Sequence, residues 1–184
     1  MSPWSPTPSP HSVPAAFLGR ALRAVGSGIQ VLGLLAIAYA LLFHVSVVRG
    51  SSMTPGIEDG DRILVDHLSY VLGEVRRGDV AVLRCPVDEN LDYLKRVIAV
   101  PGDRVRIDGG VVWVNGEAVS EPYVVAPDRR TSLEEIVAPD HFFVLGDNRE
   151  HSADSREFGQ VHRRLLRGRV DLRVWPLERA GAVR

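Results

Sequence analysis

The uncharged run over residues 29–48, IQVLGLLAIAYALLFHVSVV, limits the choice of folds more than any other stretch. With His44 neutral it offers 20 residues without a formal charge, the length a helix needs to cross about 30 Å of hydrocarbon. A buried core helix would be shorter and show a polar face. A cleavable leader would carry an apolar region of roughly 7–15 residues followed by a small-x-small site, whereas this run ends in Val47-Val48-Arg49. The expectation is a membrane-spanning helix over 26–48, with Gln30 and His44 near its ends where polar tips reach the interface. Residues 1–25 precede it as a Pro/Ser-rich tail that reads as disordered. Arg20 and Arg23 before the run, against Arg49 directly after it, place the N-terminus on the cytoplasmic side of the cell membrane. The chain from 49 to 178 then lies outside as one domain, and 179–184 reads as a C-terminal tail.

Beyond the run, helical periodicity gives way to short apolar segments separated by turn residues. Strands are expected over 62–66, 79–83, 93–100, 104–107, 111–114, 117–119, 123–125, 142–145 and 170–174, and short helices over 132–137 and 161–167. Asn115-Gly116, between Val111-Val112-Trp113-Val114 and Glu117-Ala118-Val119, supplies the two positive-φ residues of a type I′ hairpin. The fold class is therefore mostly β: one N-terminal transmembrane helix followed by a folded-over sheet. A net charge of −1 gives no field that would call for nucleic acid. The lone Cys85 forms no internal disulfide, and the six histidines lack metal-ligand spacing, so neither metal nor cofactor is expected.

Two residue choices point to chemistry. Ser52 lies four residues past the run, inside Gly50-Ser51-Ser52-Met53-Thr54-Pro55, and a serine nucleophile needs a base. Of the 22 Lys and Arg residues, 21 are arginine and one, Lys95, is lysine. Arginine keeps its proton in proteins, whereas a desolvated lysine can lose it. On a strand, Tyr93, Lys95 and Val97 share one face, so apolar neighbours would flank the ammonium. The residues alone leave two other readings open. Lys95 is equally at home as a solvated edge-strand charge, and His151 or His162 backed by Asp147 or Asp154 would make a serine-histidine triad.

Four blocks occur in order: Gly-x-Ser-Met-x-Pro at 50–55, Arg77-Gly78-Asp79-Val80, Tyr93-Leu94-Lys95-Arg96-Val97 with Pro101-Gly102-Asp103, and GDNREHSADSREFG at 146–159. Together with the preceding apolar run they resemble bacterial type I signal peptidase, a membrane-bound Ser/Lys protease, over roughly residues 25–176. The resemblance implies an endopeptidase that removes signal peptides from secretory precursors after a small residue, working at the bilayer near the secretion translocon. It implies Ser52 as nucleophile and Lys95 as general base. Ser152 would orient the lysine, Asp154 and Arg156 would brace the site as an ion pair, and Asp147 belongs to the same motif. Met53, Asp92, Tyr93 and Leu94 would bind substrate. Gly50 stands where some relatives carry an oxyanion-hole serine, which leaves the Ser52 backbone N–H as the one donor named. Gly56 stands where threonine is usual.

The same dyad would also suit a specialised maturation peptidase, and a membrane-tethered signal-sequence binder would need no chemistry. A lysine base makes a sharp demand. Lys95→Arg keeps the charge and should abolish precursor cleavage; substantial turnover by the folded variant would exclude Lys95 as base.

Overall fold

The computed structural model describes residues 25–37 and 43–183. The expected tail over 1–24, residues 38–42 of the apolar run, and Arg184 lie outside the described residues. The chain divides into two units, 1–41 and 42–184. In the first, residues 25–37 form helix α1, exposed along its length. Among the described residues no helix is long and apolar enough to cross a membrane.

The end of the apolar run is strand, not helix. Phe43–Val47 forms β1 and pairs antiparallel with β2, Arg62–Asp66, from Phe43↔Asp66 to Val47↔Arg62. The sequence Phe-His-Val-Ser-Val alternates apolar and polar residues and carries β-branched valines, which suit a strand with a ladder partner at hand. A count of uncharged residues does not register that period. The expected helix over 26–48 is thus corrected at residues 43–47, which belong to the β unit.

That unit holds two antiparallel sheets. The larger runs β1-β2-β11-β3-β4-β9-β10, built from β3 (Val80–Arg84), β4 (Asp92–Ala99), β9 (His141–Leu145), β10 (Val161–His162) and β11 (Leu166–Trp175). β12, Gly181–Ala182, pairs with β11, so the expected C-terminal tail is strand-paired at its centre. The smaller sheet runs β7-β6-β5-β8, from β5 (Arg104–Asp108), β6 (Val111–Val114), β7 (Glu117–Ala118) and β8 (Leu133–Ile136). Asn115 and Gly116 take φ of 55° and 87° in the β6–β7 turn, the left-handed values that a type I′ hairpin requires.

Three expected elements differ. Residues 133–136, expected helical, form β8 on the free edge of β5, with Arg104 donating to Glu134 across the pair at 2.9 Å. Residues 161–167 hold β10, a single 3-10 turn over Arg163–Leu165 and the start of β11 instead of a helix. Residues 123–125 form no strand but lie in a turn, with the Arg96 guanidinium 3.9 Å from the Tyr123 ring centroid.

Residues from both sheets make one core, with Ile98, Ala99, Phe143 and Leu145 of the larger meeting Val105, Ile107, Val112 and Val114 of the smaller. A second cluster lies under β1, β2 and the Ser52 loop: Met53, Ile57, Ile63, Val65, Val80 and Val170. The joint from β4 to β5 is held by Asp103, whose carboxylate accepts from Arg77 Nε at 2.7 Å, Val100 N at 2.9 Å and Asn115 Nδ2 at 2.9 Å. Phe143 is fully buried between the sheets. Phe143→Ala should cost about 3–5 kcal/mol in denaturant unfolding; a loss under about 1 kcal/mol would contradict a shared core.

Candidate active site

The site starts from an incomplete ladder. β3 pairs with β4 along its length, from Arg84↔Asp92 to Val80↔Arg96. On the other side β9 begins only at Arg96↔Leu145. Among the described residues, Asp92–Lys95 therefore has no ladder partner on that edge, and the edge is open to an added strand.

Ser52 sits at this opening, where its Oγ donates to the Leu94 carbonyl at 3.4 Å, a long bond that holds the hydroxyl weakly. The loop carrying it is fixed on two sides. Met53 and Ile57, 2% and 1% exposed, sink into the core beneath it. From the far side Asn148 N donates to the Ser52 carbonyl at 2.9 Å, and Asn148 Nδ2 reaches the Ser51 carbonyl at 3.1 Å and Thr54 Oγ1 at 2.9 Å. Gly50 opens the loop with φ 97°, a value that strains any residue with a Cβ. At Gly56 an added Cβ would make only ordinary contacts, 3.6 Å from the Met53 carbonyl oxygen.

Lys95 is 3% exposed on β4, with Nζ 5.0 Å from the Tyr93 ring centroid. Burial brings its pKa down to about 8; the Asp154 carboxylate opposes that shift and the Arg156 guanidinium adds to it. Ser52 and Lys95 line one cleft of about 240 Å³, with Gly50, Met53, Asp92, Tyr93, Leu94 and His151 among its other walls.

The segment 146–159 closes the site from behind. A Cβ on Gly146 would fall 2.2 Å from Ser152 Oγ and 2.6 Å from the Ser52 carbonyl oxygen, so only glycine lets these two serines converge. The Ser152 hydroxyl is buried and has no hydrogen-bond partner among the described residues, an arrangement that costs free energy unless a ligand or a moving group uses it. Asp154, fully buried, accepts from Arg156 Nε and Nη2 at 2.8 Å each and from Gly146 N at 3.0 Å. Arg156 also donates to Asp128 at 2.8 Å.

Asp147 lies outside the cleft wall and forms a bidentate pair with Arg96 at 2.9 and 2.7 Å. Both carboxylates that would back a catalytic histidine are thus held by arginine. His162 stacks edge-on with His141 on the β9–β10 ladder, while His151 is exposed at the cleft. Sequence reasoning missed Arg96, Asn148 and Gly146 as site residues. All three sit inside the quoted motifs beside residues that were singled out, which was the available signal. Among the described residues no three His, Cys, Asp or Glu side chains gather into a metal-holding group.

The buried Arg96–Asp147 pair predicts a stability effect. Asp147→Ala removes the carboxylate facing a buried guanidinium, which keeps its bond to the Gly78 carbonyl and its place over the Tyr123 ring, and should cost about 3–5 kcal/mol in denaturant unfolding; a change below about 1 kcal/mol would contradict its role as a buried brace.

A family model described as signal peptidase, peptidase S26, matches residues 21–175. A signal peptidase I of Leptolyngbya laminosa is 37% identical over 190 residues, covering 96% of this chain and 93% of that protein. A signal peptidase I of Bacillus caldolyticus is 42% identical over 151 residues, covering 74% of this chain and 82% of that protein. A crystal structure of a signal peptidase I from Enterococcus faecalis V583 superimposes with TM-score 0.48 at 27% identity, covering 52% of this chain and 96% of that one.

Proposed function

This chain belongs to the signal peptidase family, peptidase S26, and we propose that it cuts signal peptides from secretory precursors with Ser52 as nucleophile and Lys95 as general base. One observation carries the residue assignment. The only lysine of the chain is buried, its pKa is brought down to about 8, and it shares a cleft with Ser52 at the open edge of β4.

The precursor lies extended along Asp92–Leu94 as an added strand, so its main chain makes the hydrogen bonds that β9 leaves unmade there. Neutral Lys95 takes the Ser52 proton as Oγ bonds to the carbonyl carbon of a small residue. The Ser52 N–H donates to the resulting oxyanion. The C–N bond then breaks, and the Lys95 ammonium passes its proton to the leaving amine. Lys95, neutral again, deprotonates a water that hydrolyses the acyl-enzyme and frees Ser52. The unpartnered Ser152 hydroxyl supports a part in orienting the lysine amine, and the Asp154–Arg156 pair fixes the segment that carries it.

The anchor completes the reading. The uncharged residues before β1 hold the enzyme in the cell membrane as a single span, with the N-terminus cytoplasmic and the β unit outside. The exposed Val45, Val47, Leu172, Trp175 and Leu177 give that unit apolar surface suited to a bilayer. Holding enzyme and precursor on one surface raises their effective concentration.

The assay is cleavage of a precursor carrying Ala-x-Ala before the cut, with the new N-terminus read by mass spectrometry. Wild type should cut after the last alanine and Ser52→Ala should not; a silent wild type would point to a binder or a peptidase of narrower specificity. The pH profile tests the base. Lys95 is protonated and inactive below its lowered pKa, so kcat/KM should fall as pH drops through about 8, the value burial gives this amine. A flat profile from about pH 6 to 10 would contradict a lysine base.

A further inference from the structure

The larger cavity of the β unit, about 750 Å³, holds no part of the substrate in the mechanism above, yet it adjoins the cleft. His151 lines both spaces, and Ser152, whose hydroxyl converges with the Ser52 carbonyl at Gly146, also lines the larger one. Asp92–Leu94 flanks Ser52 on the side where the signal peptide lies. A chain laid along that edge and across Ser52 that continued past His151 would enter this cavity. Its volume falls in the range of roughly 300–1,000 Å³ that takes a small ligand, enough for a few extended residues.

The cavity wall is built and charged. Asp128 ties its loop in place, accepting from Arg130 N at 2.9 Å, from Thr131 Oγ1 at 2.5 Å and from Arg156 at 2.8 Å. Gly110 lets the loop pack closely, since a Cβ there would lie 3.1 Å from Arg129 Cγ and 3.1 Å from Pro127 Cβ. Of the arginines in the wall, Arg149 is paired with Glu121 and Arg156 with Asp154 and Asp128. Among the described residues Arg129 and Arg130, both exposed, have no carboxylate in salt-bridge contact. The wall also carries the carboxylates of Glu150 and Glu157, both exposed, and Arg156 and Glu157 act on the charge of Lys95 in opposite senses.

We propose that this cavity is a subsite for the first residues beyond the cut, and that Arg129 and Arg130 select acidic side chains a few positions into the mature chain. The proposal rests on the reading of Ser52 and Lys95 as the cutting pair and adds a substrate preference to it.

Two peptides with the same Ala-x-Ala signal region test it, one with aspartate and the other with lysine at roughly the third to fifth residues past the cut, a reach set by about 3.3–3.6 Å per extended residue. Full-length protein in detergent should cleave the aspartate peptide with kcat/KM about fivefold higher, the ratio that exposed, screened ion pairs sustain. The Arg129→Ala/Arg130→Ala variant should bring that ratio close to one, and Arg129→Glu/Arg130→Glu should invert it. Because the readout is a ratio within one preparation, partial loss of folded enzyme does not move it. No preference in wild type, or the same preference in both variants, would overturn the subsite. Failure of wild type to cut either peptide, or cutting by Ser52→Ala, would instead overturn the assignment of the cutting pair.

Discussion

Keeping one ammonium group out of water is the constraint on which the rest of the site depends. An exposed lysine holds its proton at neutral pH and takes none from a serine. Lys95 escapes that condition because β4 carries it inward, 3% exposed, with the Tyr93 ring beside it. Desolvation disfavours the charged form and moves the amine toward the pH at which a base is useful. The effect carries over to stability: between about 8 and 10.5 the unfolded lysine keeps a proton that the folded one has lost, so the cost of burying this group falls as pH rises through that window.

The arginines around it serve a different purpose. Arg96, Arg149 and Arg156 are each buried or nearly so and each faces a carboxylate: Asp147, Glu121 and Asp154 with Asp128. Because guanidinium does not titrate in this range, these pairs stay ionised and act as fixed struts. They fasten the segment 146–159 to β4 and to the loops at 121 and 128. Asn148 in turn holds the Ser51–Ser52 backbone. Ser52 is therefore placed by contacts from a segment almost a hundred residues away, while its own hydroxyl makes one long bond among the described residues.

Local signals read well from the sequence and long-range ones did not. The Asn115-Gly116 hairpin was legible because the turn chemistry is contained in two residues, and Val111–Val114 took its expected bounds. Uncharged length does not register the alternation of Phe43–Val47, and pairing with β2 makes this segment strand. Residues 133–136 look helical in isolation, and the free edge of β5 outweighs that preference. In the site, the uniqueness of Lys95 and the position of Ser52 stood out. The Arg96–Asp147 pair did not, since it joins residues 51 apart and no local pattern announces it.

The proposed chemistry turns on the ionisation of one group, and the composition makes that group observable. Protein labelled with 15N-lysine contains a single Nζ, that of Lys95, so its NMR signal can be followed through a pH titration without assignment. A buried Lys95 should give one transition with a midpoint at about 8, well below the ordinary lysine value of 10.5. A midpoint at the ordinary value would mean that Lys95 stays charged when folded, and that the serine draws its base from elsewhere.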